Sequence, residues 1–171
     1  MNIFRPYLDN DNSVSALDNK RLNKQILECW QIYNIAKQIN ADPNAKVGYM
    51  HHPVVQYYKQ YPVFVLWYAY EACLEHWCRF SKDHKLFRPV VDELSRLGVF
   101  YDDTDRYIYP PIFYCEGSKT DKNCKRIIGG DADILFKQKL FDKWDKDETA
   151  GRPPQWSRKM HKLEREWRDW V

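Results

Sequence analysis

Four polar residues, Arg21, Lys24, Glu28 and Gln31, follow one another at spacings of +3, +4 and +3. On a helix that rhythm stacks two cations, a carboxylate and an amide along one side, with Lys20 close by. A carboxylate flanked by Lys and Arg stays ionised and orients a reacting group, and the cations hold phosphates. The pair Lys24–Glu28 is equally the pattern of an ordinary solvated ion pair, worth about 0.3–0.5 kcal/mol. Spacing alone does not choose between the two readings.

Other residues compete for a chemical role. His51-His52-Pro53 follows a Gly48-Tyr49 turn. A histidine there contacts a phosphate or carries a proton, or it caps the helix that Pro53 opens; His52 is favoured over His51. Trp156 stands among Arg152, Arg158 and Lys159, a composition suited to stacking on a base beside phosphate contacts. Trp156 and Arg152 are expected to face a ligand, and Leu163 and Trp167 to dock on the body. Cys73, His76 and Cys78 invite a zinc reading, but positions five apart on a helix diverge, so core thiols are expected. Tyr107, Tyr109, Phe113 and Tyr114 suit a hydrophobic lid or a stacking platform and stay outside the site. No Walker loop, Ser/His/Asp arrangement or nucleotide-binding glycine pattern is present. No metal and no cofactor are expected.

The run Leu17-Asp-Asn-Lys-Arg-Leu-Asn-Lys-Gln-Ile-Leu-Glu28, followed by Gly48-Tyr-x-x-His52-Pro53, resembles the pyrimidine dimer DNA glycosylase (endonuclease V) family of phage and bacterial proteins. The opening Met1-Asn-Ile-Phe-Arg-Pro resembles phage-borne members. Gly151-Arg-Pro-Pro-Gln-Trp156 is similar to a late Arg-Pro-x-Trp segment of the family. The resemblance lies chiefly in the first half of the chain. It implies a small helical fold with the N-terminus in the active site. An α-amine attacks the sugar C1′, a Schiff base forms, the base leaves, and β-elimination cuts the strand. A helix glutamate assists and arginines grip phosphates.

Carried onto this chain, the resemblance makes Glu28 the glutamate, with the Met1 α-amine or Lys24 as nucleophile. Arg5, Lys20, Arg21, His52, Arg152, Trp156 and Lys159 are expected to hold DNA. One departure matters. The family exposes a small second residue by losing its Met, whereas Asn2 is bulky, so Met1 is expected to remain with a free α-amine. Lys24 or Lys20 is the alternative amine, if desolvated enough to lose its proton. The function expected is a DNA glycosylase with an AP-lyase step on damaged or modified pyrimidines. Its rivals are a phage enzyme for hypermodified pyrimidines and a non-catalytic DNA-binding module.

These side chains need elements to carry them. Leu22, Ile26, Cys29, Tyr33 and Ala36 form one apolar stripe over residues 17–39, with Ser15-x-x-Asp18 as a capping-box variant at its start. Pro53 and Pro62 open further helices, the second (63–81) so apolar that it must be central. Helices are expected near 89–97, 131–146 and 157–170. The inner face of the 131–146 helix is Ile134, Leu135, Leu140, Phe141 and Trp144. The stretch 99–130 reads as irregular, with a strand pair only weakly indicated. The whole is an all-α, single compact domain over residues 1–171 with a long irregular central loop. The 171 residues are enough for an unstapled core. A net charge of +3 does not by itself mark a nucleic-acid binder, so the basic surface must be local. Five cysteines without framework spacing and no apolar leader point to free thiols in a reducing cytoplasm. No apolar run is long enough to span a bilayer, and a monomer is expected.

Overall fold

The computed structural model describes residues 1–99, 110–115, 126–156 and 162–169. Within them the order is α1 (Asn10–Ala16), α2 (Asn19–Ala41), α3 (Pro53–Tyr58), α4 (Pro62–Phe80), α5 (Phe87–Arg96), β1 (Phe113–Cys115), β2 (Arg126–Ile128), α6 (Ala132–Thr149) and α7 (Lys162–Arg168). The fold is thus overwhelmingly helical, as the periodicity predicts. One hydrophobic cluster takes buried side chains from all seven helices.

α2 carries the site. All five residues of its predicted apolar stripe are buried. They face α4, where Val65, Leu66, Tyr68, Ala69 and Ala72 are fully covered. The start of α2 differs from the expected capping box. Asp18, not Ser15, is the N-cap, and its carboxylate accepts from the amides of Lys20 and Arg21. Ser15 bonds back to the Asn12 carbonyl at 3.2 Å and closes α1, an element the sequence reading passes over. A carboxylate satisfies two orphan amides at once, which makes Asp18 the better cap.

The stretch expected to be irregular holds an antiparallel pair, Phe113 against Ile128 and Cys115 against Arg126. Phe113 stacks on Tyr57 at 4.4 Å, and Tyr114 meets Phe136 edge-on at 5.1 Å, so both aromatics are core. Tyr107 and Tyr109 lie outside the described residues. Cys115 is disulfide-bonded, so the expectation of free thiols holds for Cys29, Cys73 and Cys78 and fails there. Cys73 is buried and Cys78 exposed, so the pair shares neither a metal site nor the core. Among the described residues no group of three His, Cys, Asp or Glu side chains could hold a metal ion. None of the described helices is long and apolar enough to cross a membrane.

α6 faces the first turns of α2, where Asp147 meets Lys20 and Arg21. Its inner face is Phe136, Leu140, Phe141 and Trp144; Ile134, expected there, is 58% exposed. Trp144 ties three segments together. Its indole donates to Asp18 at 2.8 Å, and its ring packs on Trp156 and Trp167. Leu163 and Trp167 are docked as predicted.

Candidate active site

The first residues lie across α2 because one side chain receives them. The Gln25 amide donates to the Asn2 carbonyl at 3.1 Å and accepts from the Phe4 amide at 2.9 Å, as a neighbouring β-strand would. Tyr68 donates to the Phe4 carbonyl, and Ile3 is fully buried. This register delivers the Met1 α-nitrogen to 3.5 Å from Glu28 Oε1, while the Asn2 amide donates to Oε2 at 3.2 Å. Lys24 Nζ stands 3.7 Å from Oε1. Glu28 is itself only 8% exposed. Cys29 beside it offers no rival nucleophile, since burial drives its thiol far up from the ordinary value.

Glu28 is a partition between two cavities. One, of about 310 Å³, lies between α2 and α6 and is lined by Phe4, Lys20, Arg21, Lys24, Lys143, Lys146 and Asp147. The other, of about 340 Å³, is lined by Met1, Trp30, Gln31, Asn34, Ile35 and Tyr49.

The α2–α6 cavity is cationic. Five Lys and Arg face two carboxylates, Glu28 and Asp147. Asp147 is claimed by Arg21 at 2.9 Å and Lys20 at 3.2 Å, and Arg21 also holds Asp18 at 2.5 Å. Although burial opposes it, those bonds keep Asp147 below the ordinary carboxylate range. Lys143 has no such partner among the described ion pairs. Burial, then the charges of Arg21, Lys24 and Lys139, push it below the ordinary lysine range, with Glu28 opposing. Like charges held together against their own repulsion make a site for an anion.

Of the residues singled out in the sequence, Met1, Lys20, Arg21, Lys24 and Glu28 converge here. Others do not. Arg5 is 2% exposed, and its guanidinium donates to the carbonyls of Pro110 at 2.8 Å and Leu8 at 3.0 Å, so it ties the N-terminal segment to the stretch that leads into β1. His52 is the N-cap of α3, its Nδ1 accepting from the Val54 amide at 3.2 Å. Trp156 is half-buried against Trp144. Its indole donates to the Ala16 carbonyl at 3.4 Å, so its ring packs against the edge of the core. Arg152 is exposed and lines neither cavity. Lys159 lies outside the described residues.

Gln25, Lys143 and Lys146 join the site from outside the residues expected of the sequence. Lys139, Lys143 and Lys146 repeat at +4 and +3, the same rhythm as the polar face of α2, and that spacing is their signal. Gln25 carries none, since a buried Gln among apolar residues looks like any other polar helix position.

The helical scaffold thus sets an amine and a carboxylate at the edge of a cationic cavity. The model of the pyrimidine dimer DNA glycosylase family matches residues 1–88 of the 171, and the chain belongs to that family. DNA is accordingly the substrate and glycosidic-bond cleavage the general activity. No curated protein and no solved structure gives a significant match. The match takes in α1 to α4 and stops at the start of α5, so the α6 lysines lie beyond it.

Proposed function

We propose that the protein is a DNA glycosylase that cuts by amine attack and then nicks the strand as an AP lyase. The observation that carries this reading is the Met1 α-nitrogen 3.5 Å from the buried Glu28 carboxylate. Lys24 stands farther from the same oxygen, at 3.7 Å, and is 66% exposed, so it is the less confined of the two amines.

Glu28 takes a proton from the Met1 ammonium. The freed nitrogen bonds to C1′ as the glycosidic bond breaks, its electron pair and the proton held by Glu28 going to the departing base. The C1′–O4′ bond then opens, O4′ taking a proton from the attached nitrogen, to give the iminium. Glu28, again a carboxylate, is in place to take the C2′ proton, after which the C3′–O bond breaks and a 5′-phosphate strand departs. Lys20, Arg21, Lys24, Lys143 and Lys146 hold the flanking phosphates.

Borohydride reduction during turnover on dimer-bearing or abasic duplex tests this. The wild-type protein is expected to give a covalent protein–DNA adduct, and Glu28→Gln to lower its rate by about 100-fold or more. Absence of an adduct, or equal adduct formation by Glu28→Gln, would defeat the mechanism.

A further inference from the structure

We propose that the Asp147 carboxylate occupies the seat of a DNA phosphate on Lys20 and Arg21 in the free protein, and gives that seat up when DNA enters the α2–α6 cavity. The inference rests on the reading above that these cations hold phosphates, and is independent of the amine chemistry. Of the two carboxylates that line the cavity, Glu28 is used by the mechanism and Asp147 is not.

The seat has the form of a phosphate site. Lys20 Nζ donates to both oxygens of Asp147, at 3.3 and 3.2 Å, and Arg21 Nη2 to one of them at 2.9 Å. A phosphodiester carries the same single negative charge over a pair of free oxygens, and Lys and Arg bind it through the same charge-assisted bonds. The Asp147 side chain is 13% exposed and lines the cavity wall, within reach of an anion that fills the cavity.

Arg21 holds two carboxylates, and they differ. Asp18 is the permanent partner. It is 1% exposed, accepts from the Trp144 indole at 2.8 Å as well, and caps α2. It keeps Arg21 Nη1 and so aims Nη2 at the cavity whether or not Asp147 is in place. Among the described residues the Asp147 carboxylate accepts from Lys20 and Arg21 alone. The backbone beneath it is fixed by the end of α6, where the Arg152 amide donates to the Asp147 carbonyl at 2.8 Å and the Ala150 amide to the Lys146 carbonyl at 3.1 Å. Exchange therefore needs rotation of one side chain and no movement of the helix. Its cost is the same for every duplex, so Asp147 holds back sequence-independent binding.

Fluorescence-anisotropy affinities for an undamaged duplex, measured over a range of NaCl concentrations, test the exchange in wild type, Asp147→Asn, Lys20→Ala and Glu148→Gln. Asp147→Asn is expected to bind about 5- to 50-fold tighter. The slope of log K against log salt is expected to change little, because Lys20 and Arg21 reach phosphate in both proteins. Lys20→Ala is expected to lower that slope by about 0.9 in the otherwise unchanged protein. Glu148→Gln makes the same change in net charge from an exposed position on the same helix, and is expected to leave affinity within about twofold. The proposal is overturned if Asp147→Asn binds no tighter than Glu148→Gln, or if Lys20→Ala leaves the slope unchanged. It is overturned equally if Asp147→Asn steepens the slope by about 0.9 or more, since wild-type Asp147 would then never release the cations. If Asp147→Asn does not fold, the Lys20→Ala slope decides alone. Lys143→Ala tells two failures apart: a slope that it lowers keeps the cavity as the DNA site and sinks the exchange alone, and a slope that it leaves unchanged sinks both.

Discussion

Three nitrogens approach the Glu28 carboxylate: the Met1 amine, the Asn2 amide and the Lys24 ammonium. The amide fixes one oxygen and leaves the other for the amine, so the carboxylate cannot swing away as an exposed i,i+4 partner would. What holds the amine in turn is Gln25. Its two bonds to Asn2 and Phe4 set the register, and a slip of one residue would carry the amine past the carboxylate. Gln25→Met keeps the volume and removes both bonds. Trapping rate is expected to fall about 10- to 100-fold with little change in DNA affinity, and Gln25→Glu, which keeps one acceptor for the Phe4 amide, to recover part of it. A variant that traps at the wild-type rate would show that packing of Ile3 suffices.

α2 keeps its place through contacts on both faces. Inward, its apolar stripe packs on α4; at the outer edge, Tyr33 and Lys37 meet Glu93 of α5 at 2.7 and 2.8 Å. The Lys37 bond, with further bonds from Arg96 and Tyr33 and against the effect of burial, holds the Glu93 carboxyl down to about 2. A carboxyl lowered from the ordinary 4.5 on folding adds stability that is complete above that value and is lost as pH falls toward 2. In urea unfolding, the gap between wild type and Glu93→Gln is therefore expected to be open at pH 6 and to close between pH 4.5 and 2. A gap that stays constant over that range would mean the pair adds nothing on folding. The group is near solvent, so the effect is small.

The long helices are legible because apolar residues repeat at 3.6 residues, and every member of the Leu22-to-Ala36 stripe is buried. α1 was not legible, since its seven residues hold two Asn, one Asp and two Ser, types that speak for turns. The short hairpin was only weakly legible because its strands are three residues each and its pairing joins segments with no periodicity between them. Residue type also does not foretell the intramolecular bonds of Arg5 and Trp156. Nothing in a sequence tells which carbonyls will capture a guanidinium or an indole.

At the scale of the whole molecule, a net charge of +3 conceals a cavity in which five cations meet two carboxylates. The sequence showed half of it, the α2 half. The other half comes from α6, far along the chain and beyond the family match. DNA affinity is expected to fall with salt, and removal of a phosphate contact lowers the slope of log K against log salt by about 0.9. Lys143→Ala and Lys146→Ala together are expected to flatten it by about 1 to 2 units. Arg5→Met, whose target is buried carbonyl oxygens, should leave the slope alone and lower stability. The reverse pattern would place the phosphates elsewhere on the surface.

The amine at the start of the chain is the point on which the mechanism turns, and its identity is directly measurable. Peptide mapping by tandem mass spectrometry of the borohydride-reduced protein–DNA adduct is expected to place the sugar remnant on the Met1 α-nitrogen. A remnant on Lys24, Lys143 or any other lysine would contradict the account.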